Sequence, residues 1–408
     1  MVALGGLAAS AARLDASAPP VPDPGVDYYD KLGVTKIINA AGTYTILTAS
    51  IMPPSVQAAV VVAAKHPVRL LELQKKAGEY LARRLQCEAA LVTDGAASAL
   101  TLGTAACVTR ATSDNQPAVL HIPTDMTGLK NEVIIQKAHR YEYDHALRNC
   151  GIKFVEVTTL DDYQKAFTGK TVLCHYLNKA VDRGRIGRED WIRVAHQHNV
   201  PCFNDAAADT PPISRLWDYT KMGFDLVTFS GGKGMRGPQN SGLLLGRKEL
   251  IEAAMANNNP FSNTVGRGMK VAKEQIVGMV AAIDWFLSQT DEGMEKEFQR
   301  RVNLIAQELH GIPTVKCTTF VPPVANHAPH LLVTYDQNRV KISPLQVAEE
   351  LRQGNPSIEL NFGTGSSKPD DGWPPTLVNT VVVAVWMLQP GEDRIVGQCL
   401  RQVLMKAV

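Results

Sequence analysis

The sequence predicts an α/β fold, a mostly parallel sheet flanked by helices and followed by a smaller α+β domain at the C-terminus. Three observations carry this reading. Short apolar runs bounded by turn residues alternate with helical stretches between residues 89 and 257, the pattern of strands buried on both faces and joined by crossover helices. Two of those runs, 200–203 and 224–229, end in polar residues, Asn204-Asp205 and Ser230-Gly231-Gly232-Lys233. Beyond residue 290 the spacing changes to that of a few antiparallel strands with covering helices.

Taken in order, residues 1–26 are an Ala-rich tract passing into a Pro-rich spacer, and their first basic residue is Arg13. They read as a disordered extension, which leaves the protein cytoplasmic. The alternative is the apolar part of a truncated twin-arginine-type signal, which makes it periplasmic. Residues 27–54 form an arm with a short helix, a strand at 35–39 and a loop. A large domain is expected over 55–268 and a small one over 269–408. Ser55 opens a helical pattern, and 70–85 is amphipathic, with Leu71, Leu73, Ala77, Tyr80 and Leu81 on its apolar side. Strand 89–93 leads through Asp94-Gly95-Ala96-Ala97-Ser98-Ala99 into a helix at 100–108. Strands follow at 119–122, 133–136, 154–157 and 171–176, with helices at 141–149, 161–167 and 189–198. A strand at 242–246, a helix at 247–257 and a polar loop at 258–267 precede a long helix over 270–289, the spine between the domains. Helices at 291–310, 344–353 and 392–406, with strands at 314–319, 330–335 and 380–386, build the small domain.

Composition narrows the function. The 408 residues are 45% hydrophobic with a net charge of +2, so the core is ample and no basic surface for nucleic acid is indicated. Beyond the N-terminus no apolar run reaches the ~18 residues of a membrane span. The cysteines at 87, 107, 150, 174, 202, 317 and 399 form no CxxC or zinc-spaced cluster and read as inert buried thiols. His196 and His198 read as favourable charges at a helix C-terminus. No metal site is expected.

Ligands of parallel sheets bind at the carboxyl ends of strands, where Asp205 and Lys233 both fall. That pair suits pyridoxal phosphate, which needs a lysine for its Schiff base and a carboxylate beside its ring nitrogen. Lysine shifts its pKa readily on burial and serves as nucleophile and base. The carboxylate keeps the ring nitrogen protonated. Ser230 and the glycines around Lys233 would let backbone pass close to the cofactor. The alternative is a surface lysine in a glycine turn with Asp205 as a helix cap. A P-loop is excluded, because Lys233 is followed by Gly234 rather than Ser or Thr. Gly95, Ala96, Ala97 and Ser98 supply the matching phosphate site, a helix N-terminus approached through small side chains. Gln136 and His139 follow a strand end, placed to stack on or bond the cofactor ring or to form a solvated helix start.

These elements together resemble the fold-type I pyridoxal phosphate enzymes, within them the group of selenocysteine synthase and D-glucosaminate-6-phosphate ammonia-lyase. The carriers are Ile38-Asn39-Ala40-Ala41-Gly42, the 88–99 segment, Asp205-Ala206-Ala207-Ala208, residues 225–234, Gly237-Pro238-Gln239, Ser241-Gly242 and Leu388-Gln389-Pro390-Gly391-Glu392. The resemblance covers residue 28 to the C-terminus. It implies Lys233 as the Schiff-base lysine, Asp205 at the ring nitrogen, residues 95–98 on the phosphate, and a homodimer or higher homo-oligomer. Arg267-Gly268-Met269-Lys270 matches a region that binds an anionic group, which makes Arg267 and Lys270 candidate substrate ligands. Their alternative role is to cap the spine helix. The chain departs from the pattern after Gly42, where residues 43–50 hold no basic residue. That departure and the near-neutral charge speak against a seryl-tRNA substrate.

The expectation is a lyase acting at the α-carbon of a small amino acid, with Lys233 as general base and α,β-elimination releasing ammonia. Racemisation, aldol cleavage and β-replacement are the alternatives on the same scaffold. Racemisation needs an acid on the opposite ring face, for which Tyr44, Gln136 and His139 are candidates. A non-catalytic binding protein would have no need of Lys233, Asp205 and the glycine loop together.

Overall fold

A computed structural model describes residues 25–110, 121–122, 126–370 and 372–408. The N-terminal tract up to residue 24 and most of the expected strand at 119–122 lie outside the described residues. The chain divides into two compact units, one ending at Ile37 and one running from Ile38 to Val408. In the first, Asp27 caps α1 (Tyr28–Leu32) by accepting from the amides of Tyr29 and Asp30, and Gly33 closes the helix at φ 70°.

β1 (Ile37–Ala40), α2 (Pro54–Ala64) and α3 (Leu70–Arg84) come next. The buried face of α3 is Ala77, Gly78, Leu81 and Ala82, a helical i, i+4 spacing. It packs on β2 (Ala89–Thr93) so closely that a Cβ on Gly78 would lie 2.3 Å from the Ala90 carbonyl oxygen. The alternating region then runs α4 (Gly95–Arg110), β3 (Glu132–Gln136), α5 (His145–Arg148), β4 (Lys153–Val157), α6 (Leu160–Lys165), β5 (Thr171–Leu177) and α7 (Arg188–Gln197). It continues with β6 (Cys202–Asp205), α8 (Arg215–Met222), β7 (Leu226–Ser230), β8 (Gly242–Gly246) and α9 (Lys248–Ala256).

These strands form a seven-stranded sheet in the order β2-β8-β7-β6-β5-β3-β4. β8 alone runs antiparallel to its neighbours, so β2, β3, β5, β6 and β7 all end on the same side. Every residue of β5 is buried, as expected where helices cover both faces. The register pairs Leu177 with Asp205 and Asp205 with Thr228.

The C-terminal part holds α10 (Lys273–Leu287), α11 (Asp291–Glu308), β9 (Lys316–Phe320), β10 (His330–Thr334), α12 (Pro344–Arg352), β11 (Ser357–Leu360), β12 (Thr380–Ala384) and α13 (Glu392–Lys406). β12, β10 and β9 make an antiparallel sheet. Its inner face, with Leu331, Val333, Val381 and Val383, shares a core with α11, α13 and the strand residues Ile38 and Ala40.

Several elements depart from the expected pattern. α4 begins at Gly95 rather than at residue 100, because the small residues after β2 are themselves the first helical turn. Only His145–Arg148 of the expected helix at 141–149 is α-helical, preceded by a 3₁₀ turn at Glu142–Asp144. The Arg140 guanidinium holds Asp144 at 2.5 Å and also pairs with Glu156, which keeps Tyr141 extended instead of helical. The apolar pattern does not mark α8 or β11.

Gly78→Ala is expected to destabilise the fold by about 1–2 kcal/mol net, overpacking against β2 outweighing the gain in helix propensity. Denaturant unfolding of the variant checks this.

Candidate active site

The aligned ends of β5, β6 and β7 bring three loops together. Asp205 is the last residue of β6 and is 5% exposed. Its Oδ1 accepts the Ala207 amide at 3.0 Å, and its Oδ2 accepts the Tyr141 hydroxyl in a short hydrogen bond. The Tyr141 ring lies parallel to that of His175, centroids 6.1 Å apart. Burial pushes the Asp205 carboxyl up, and the Tyr141 bond, the Ala207 amide and the Lys233 charge oppose it. Burial, then the charge of Asp205, pushes Tyr141 well above the ordinary phenol value, so this hydroxyl stays a donor. Burial likewise pushes His175 down to about 3, leaving a neutral imidazole.

Lys233 follows β7 by three residues in a loop that only glycine allows. A Cβ on Gly231 would meet the Ser241 Oγ at 2.2 Å, and one on Gly234 the Thr210 carbonyl oxygen at 2.2 Å. These glycines answer to contacts within the protein, where the sequence suggested room for a ligand. Burial is the largest influence on the Lys233 ammonium and lowers its pKa, with Asp205 pulling the other way.

Both residues open into one cavity of about 700 Å³. Gly95, Ala96 and Ala97 line it at the start of α4. Gly95 has φ +82°, and a Cβ there would meet nothing within 4 Å. Ser98 is buried beside them, and its Oγ has no hydrogen-bond partner among the described residues. Ser230 and Tyr44 also line the cavity. Burial pushes the Tyr44 hydroxyl up to about 12.

The opposite wall comes from the chain ends. Asn39 Oδ1 accepts the amides of Ala41 and Gly42, each at 3.0 Å, folding the Asn-Ala-Ala-Gly segment into a turn. Asn361, just after β11, donates to the Ala41 carbonyl at 2.8 Å and to the Tyr44 hydroxyl at 3.3 Å. The Asn326 amide reaches the Ala208 carbonyl at 2.8 Å. Lys179 pairs with Asp370 at 2.9 Å across the cavity.

The structure thus brings Lys233, Asp205, Gly95, Ala96, Ala97, Ser230 and Tyr44 together around one cavity, with Ser98 buried behind it. Four other expected residues do not line it. Gln136 is turned into the protein, where both ends of its amide bond the backbone of Ile186 at 2.9 Å. His139 accepts the Leu177 amide at 3.3 Å and sets its ring against the face or edge of Tyr176 at 84°. Arg267 and Lys270 are exposed outside the cavity lining. Conversely Tyr141, Lys179 and Asp209 line the cavity and carried no expectation. Each follows a strand end by a turn, which is the only signal the sequence holds for them.

At the other end of the sheet His196, Cys202 and Asp225 cluster. Asp225 Oδ2 accepts the Cys202 amide at 2.7 Å and meets His196 Nε2 at 2.9 Å, while Oδ1 pairs with Arg247 at 3.1 Å. The carboxylate is fully engaged in tying α7, β6 and β7 together. His196 is therefore a structural partner of Asp225, beyond the terminal charge expected of it. No helix among the described residues is long and apolar enough to cross a membrane.

Fold and cavity define the class, a type I pyridoxal phosphate-dependent enzyme scaffold. A family model described as "SelA: L-seryl-tRNA selenium transferase" matches residues 37–312, and the chain belongs to that family. It is 32% identical over 267 residues to the D-glucosaminate-6-phosphate ammonia lyase of Salmonella typhimurium (strain 14028s / SGSC 2262), covering 63% of this chain and 69% of that one. It is 29% identical over 345 residues to a 5'-C-glycyluridine monooxygenase-decarboxylase of Streptomyces sp, covering 81% and 83%. The solved structure of D-glucosaminate-6-phosphate ammonia-lyase superposes with a TM-score of 0.78 at 25% identity, covering 94% of this chain and 99% of that one.

The residues present fit the cofactor. The phosphate needs amide donors and a hydroxyl, which the open α4 terminus and the orphaned Ser98 Oγ offer. The aldehyde needs an amine of lowered pKa, and the ring nitrogen a fixed carboxylate. Tyr141→Phe removes one of the bonds that fix Asp205. Pyridoxal phosphate affinity is expected to fall about ten- to hundredfold, read by visible absorbance as cofactor is titrated into cofactor-free protein.

Proposed function

We propose that this protein is a pyridoxal phosphate-dependent lyase that eliminates a β-substituent from an amino acid and releases ammonia and a 2-oxo acid. The observation that carries the cofactor reading is the meeting of Lys233, Asp205 and the small-residue start of α4 in one cavity. The reaction is taken from the similarity to an ammonia lyase. When bound, the cofactor supplies an electron sink for the substrate α-carbon. Lys233 would hold the aldehyde, Asp205 the ring nitrogen, and the 95–98 turn with Ser98 the phosphate. The Lys233 amine would take the α-proton, a role that suits an amine whose ammonium form burial disfavours. Asn361, Trp386 and the 41–45 turn wall the cavity and would shield a bound substrate from bulk water.

The long match to a monooxygenase-decarboxylase favours a second reading, loss of the carboxyl group instead of the β-substituent. Products separate the two. The protein is proposed to assemble as a homodimer or larger homo-oligomer. Arg267 and Lys270 are exposed and do not line this subunit's own cavity, so a role on a substrate anion would need the cavity of another copy. A tRNA substrate finds no support in a net charge of +2.

The test is incubation of the reconstituted protein with D- and L-amino acids, phosphorylated amino-sugar acids among them. Ammonia and a 2-oxo acid in equal amounts are expected. Carbon dioxide with oxygen uptake would replace the lyase reading by the second one. Lys233→Ala is expected to lose all turnover and all covalent retention of cofactor after borohydride reduction; turnover at the normal rate would remove the lysine from its role. Cofactor uptake by cofactor-free protein requires the neutral amine. Its rate should therefore rise with pH and level off below 10.5, the ordinary lysine value, because burial lowers that of Lys233. Stopped-flow absorbance across pH reads this directly.

A further inference from the structure

We propose that Asp209 is the general acid of the elimination, the group that protonates the substituent leaving the β-carbon. The inference rests on the lyase reading above and adds to it a residue that neither Lys233 nor Asp205 can replace. An elimination that expels hydroxide needs a proton delivered on the leaving side. Lys233 is committed to the α-proton, and Asp205 accepts bonds on both oxygens at the base of the cavity.

Asp209 lies one turn beyond Asp205, is 1% exposed, and lines the same cavity. Its Oδ2 accepts the Tyr219 hydroxyl at 2.9 Å and the Asn178 side-chain amide in a short bond. Asn178 also donates to the Tyr219 oxygen at 2.7 Å and is itself fixed by Arg188 Nε at 2.6 Å. This network holds the carboxyl in one orientation. It places both donors on Oδ2, so Oδ1 has no hydrogen bond among the described residues and is the oxygen free to carry a proton.

The surroundings suit an acid that must give its proton and then bear a charge. Burial is the largest influence and raises the Asp209 pKa, with the charge of Asp205 adding to it; Arg215, Asn178 and Tyr219 oppose. Arg215 reaches the Asp209 carbonyl oxygen at 2.9 Å, and the Lys233 ammonium faces the same cavity. Burial thus favours the protonated carboxyl, and the Asn178 and Tyr219 donors are in place to stabilise the carboxylate left behind.

The step balances. Lys233 takes the α-proton, the Cα–H electron pair becomes the Cα–Cβ π bond, and the Cβ–O bond breaks with its pair on oxygen. The Oδ1 proton joins that oxygen and water leaves. Lys233 then holds the α-proton and Asp209 lacks one, and passage of a proton from the ammonium to the carboxylate resets both groups.

The experiment compares leaving groups. Serine loses hydroxide and needs an acid, whereas 3-chloroalanine loses chloride and needs none. Wild type and Asp209→Asn are given both compounds in both configurations. Ammonia release and exchange of the α-hydrogen with solvent deuterium are followed. The variant is expected to keep α-exchange and 3-chloroalanine turnover near wild-type rates while serine elimination falls about 10²-fold or more. Equal loss on both substrates, or no loss on serine, overturns the assignment. Tyr219→Phe supplies a second readout. Removing a donor to the carboxylate raises the Asp209 pKa, so the loss of serine elimination at high pH should move to higher pH. An unmoved limb overturns the proposal even where Asp209→Asn fails to fold. A wild-type protein that releases no ammonia from these four compounds or from the amino acids and phosphorylated amino-sugar acids named above sinks the lyase reading itself, which distinguishes that failure from this one.

Discussion

The parallel pairing of β5, β6 and β7 is the constraint on which the rest of the molecule depends. Because Leu177, Asp205 and Thr228 sit in register, the turns that follow them emerge side by side. One carries Asn178 and Lys179, the second Asp205 and Asp209, the third Lys233. A slip of one residue in β6 would turn Asp205 to the opposite face of the sheet and leave Tyr141 without an acceptor. The ladder is itself secured from the far end, where Asp225 bonds the Cys202 amide and Arg247. A cluster with the residue types of a metal site thus acts as a clamp on the strands that carry the chemistry.

Much of this was legible in the sequence, for a physical reason that also marks its limit. Strand β2 and helix α13 fall at the residues expected because their apolar periods are clean and their ends are marked by Asp94-Gly95 and Pro390-Gly391. Asp205 and Lys233 were visible because a polar residue at the end of a buried apolar run has few structural explanations. Tyr141 was not, since its place depends on Arg140 gripping Asp144 and so halting a helix that the local pattern favours. Gln136 and His139 show the reverse error. They occupy the expected strand end, yet their side chains satisfy the backbone of residues 186 and 177, and periodicity says nothing about such long-range bonds.

The glycines make a related point. Those around Lys233 read in sequence as space for a ligand, but Gly231 and Gly234 are filled by Ser241 and Thr210. They fix the lysine by allowing loops to close on each other. Only Gly95, with open space where a side chain would stand, borders the cavity in the way the sequence suggested. The glycines thus differ in what they do: Gly231 and Gly234 let loops close behind Lys233, whereas Gly95 leaves the cavity open at the start of α4.

Electrostatics then argues why one scaffold serves relatives named for an ammonia lyase and for a monooxygenase-decarboxylase. Proton loss and carboxyl loss at the α-carbon would both draw on an electron sink whose ring nitrogen is held by a carboxylate. Lys233 and Asp205, the proposed pair, are poised by opposing influences, burial against mutual attraction. The same cavity is lined by a second buried carboxyl, that of Asp209, oriented by Tyr219, Asn178 and Arg188. Burying it costs desolvation, which the bonds from Tyr219 and Asn178 offset. The proposed acid role gives that burial a chemical use; without it the network would be a second structural clamp of the kind Asp225 makes at the far end of the same strands.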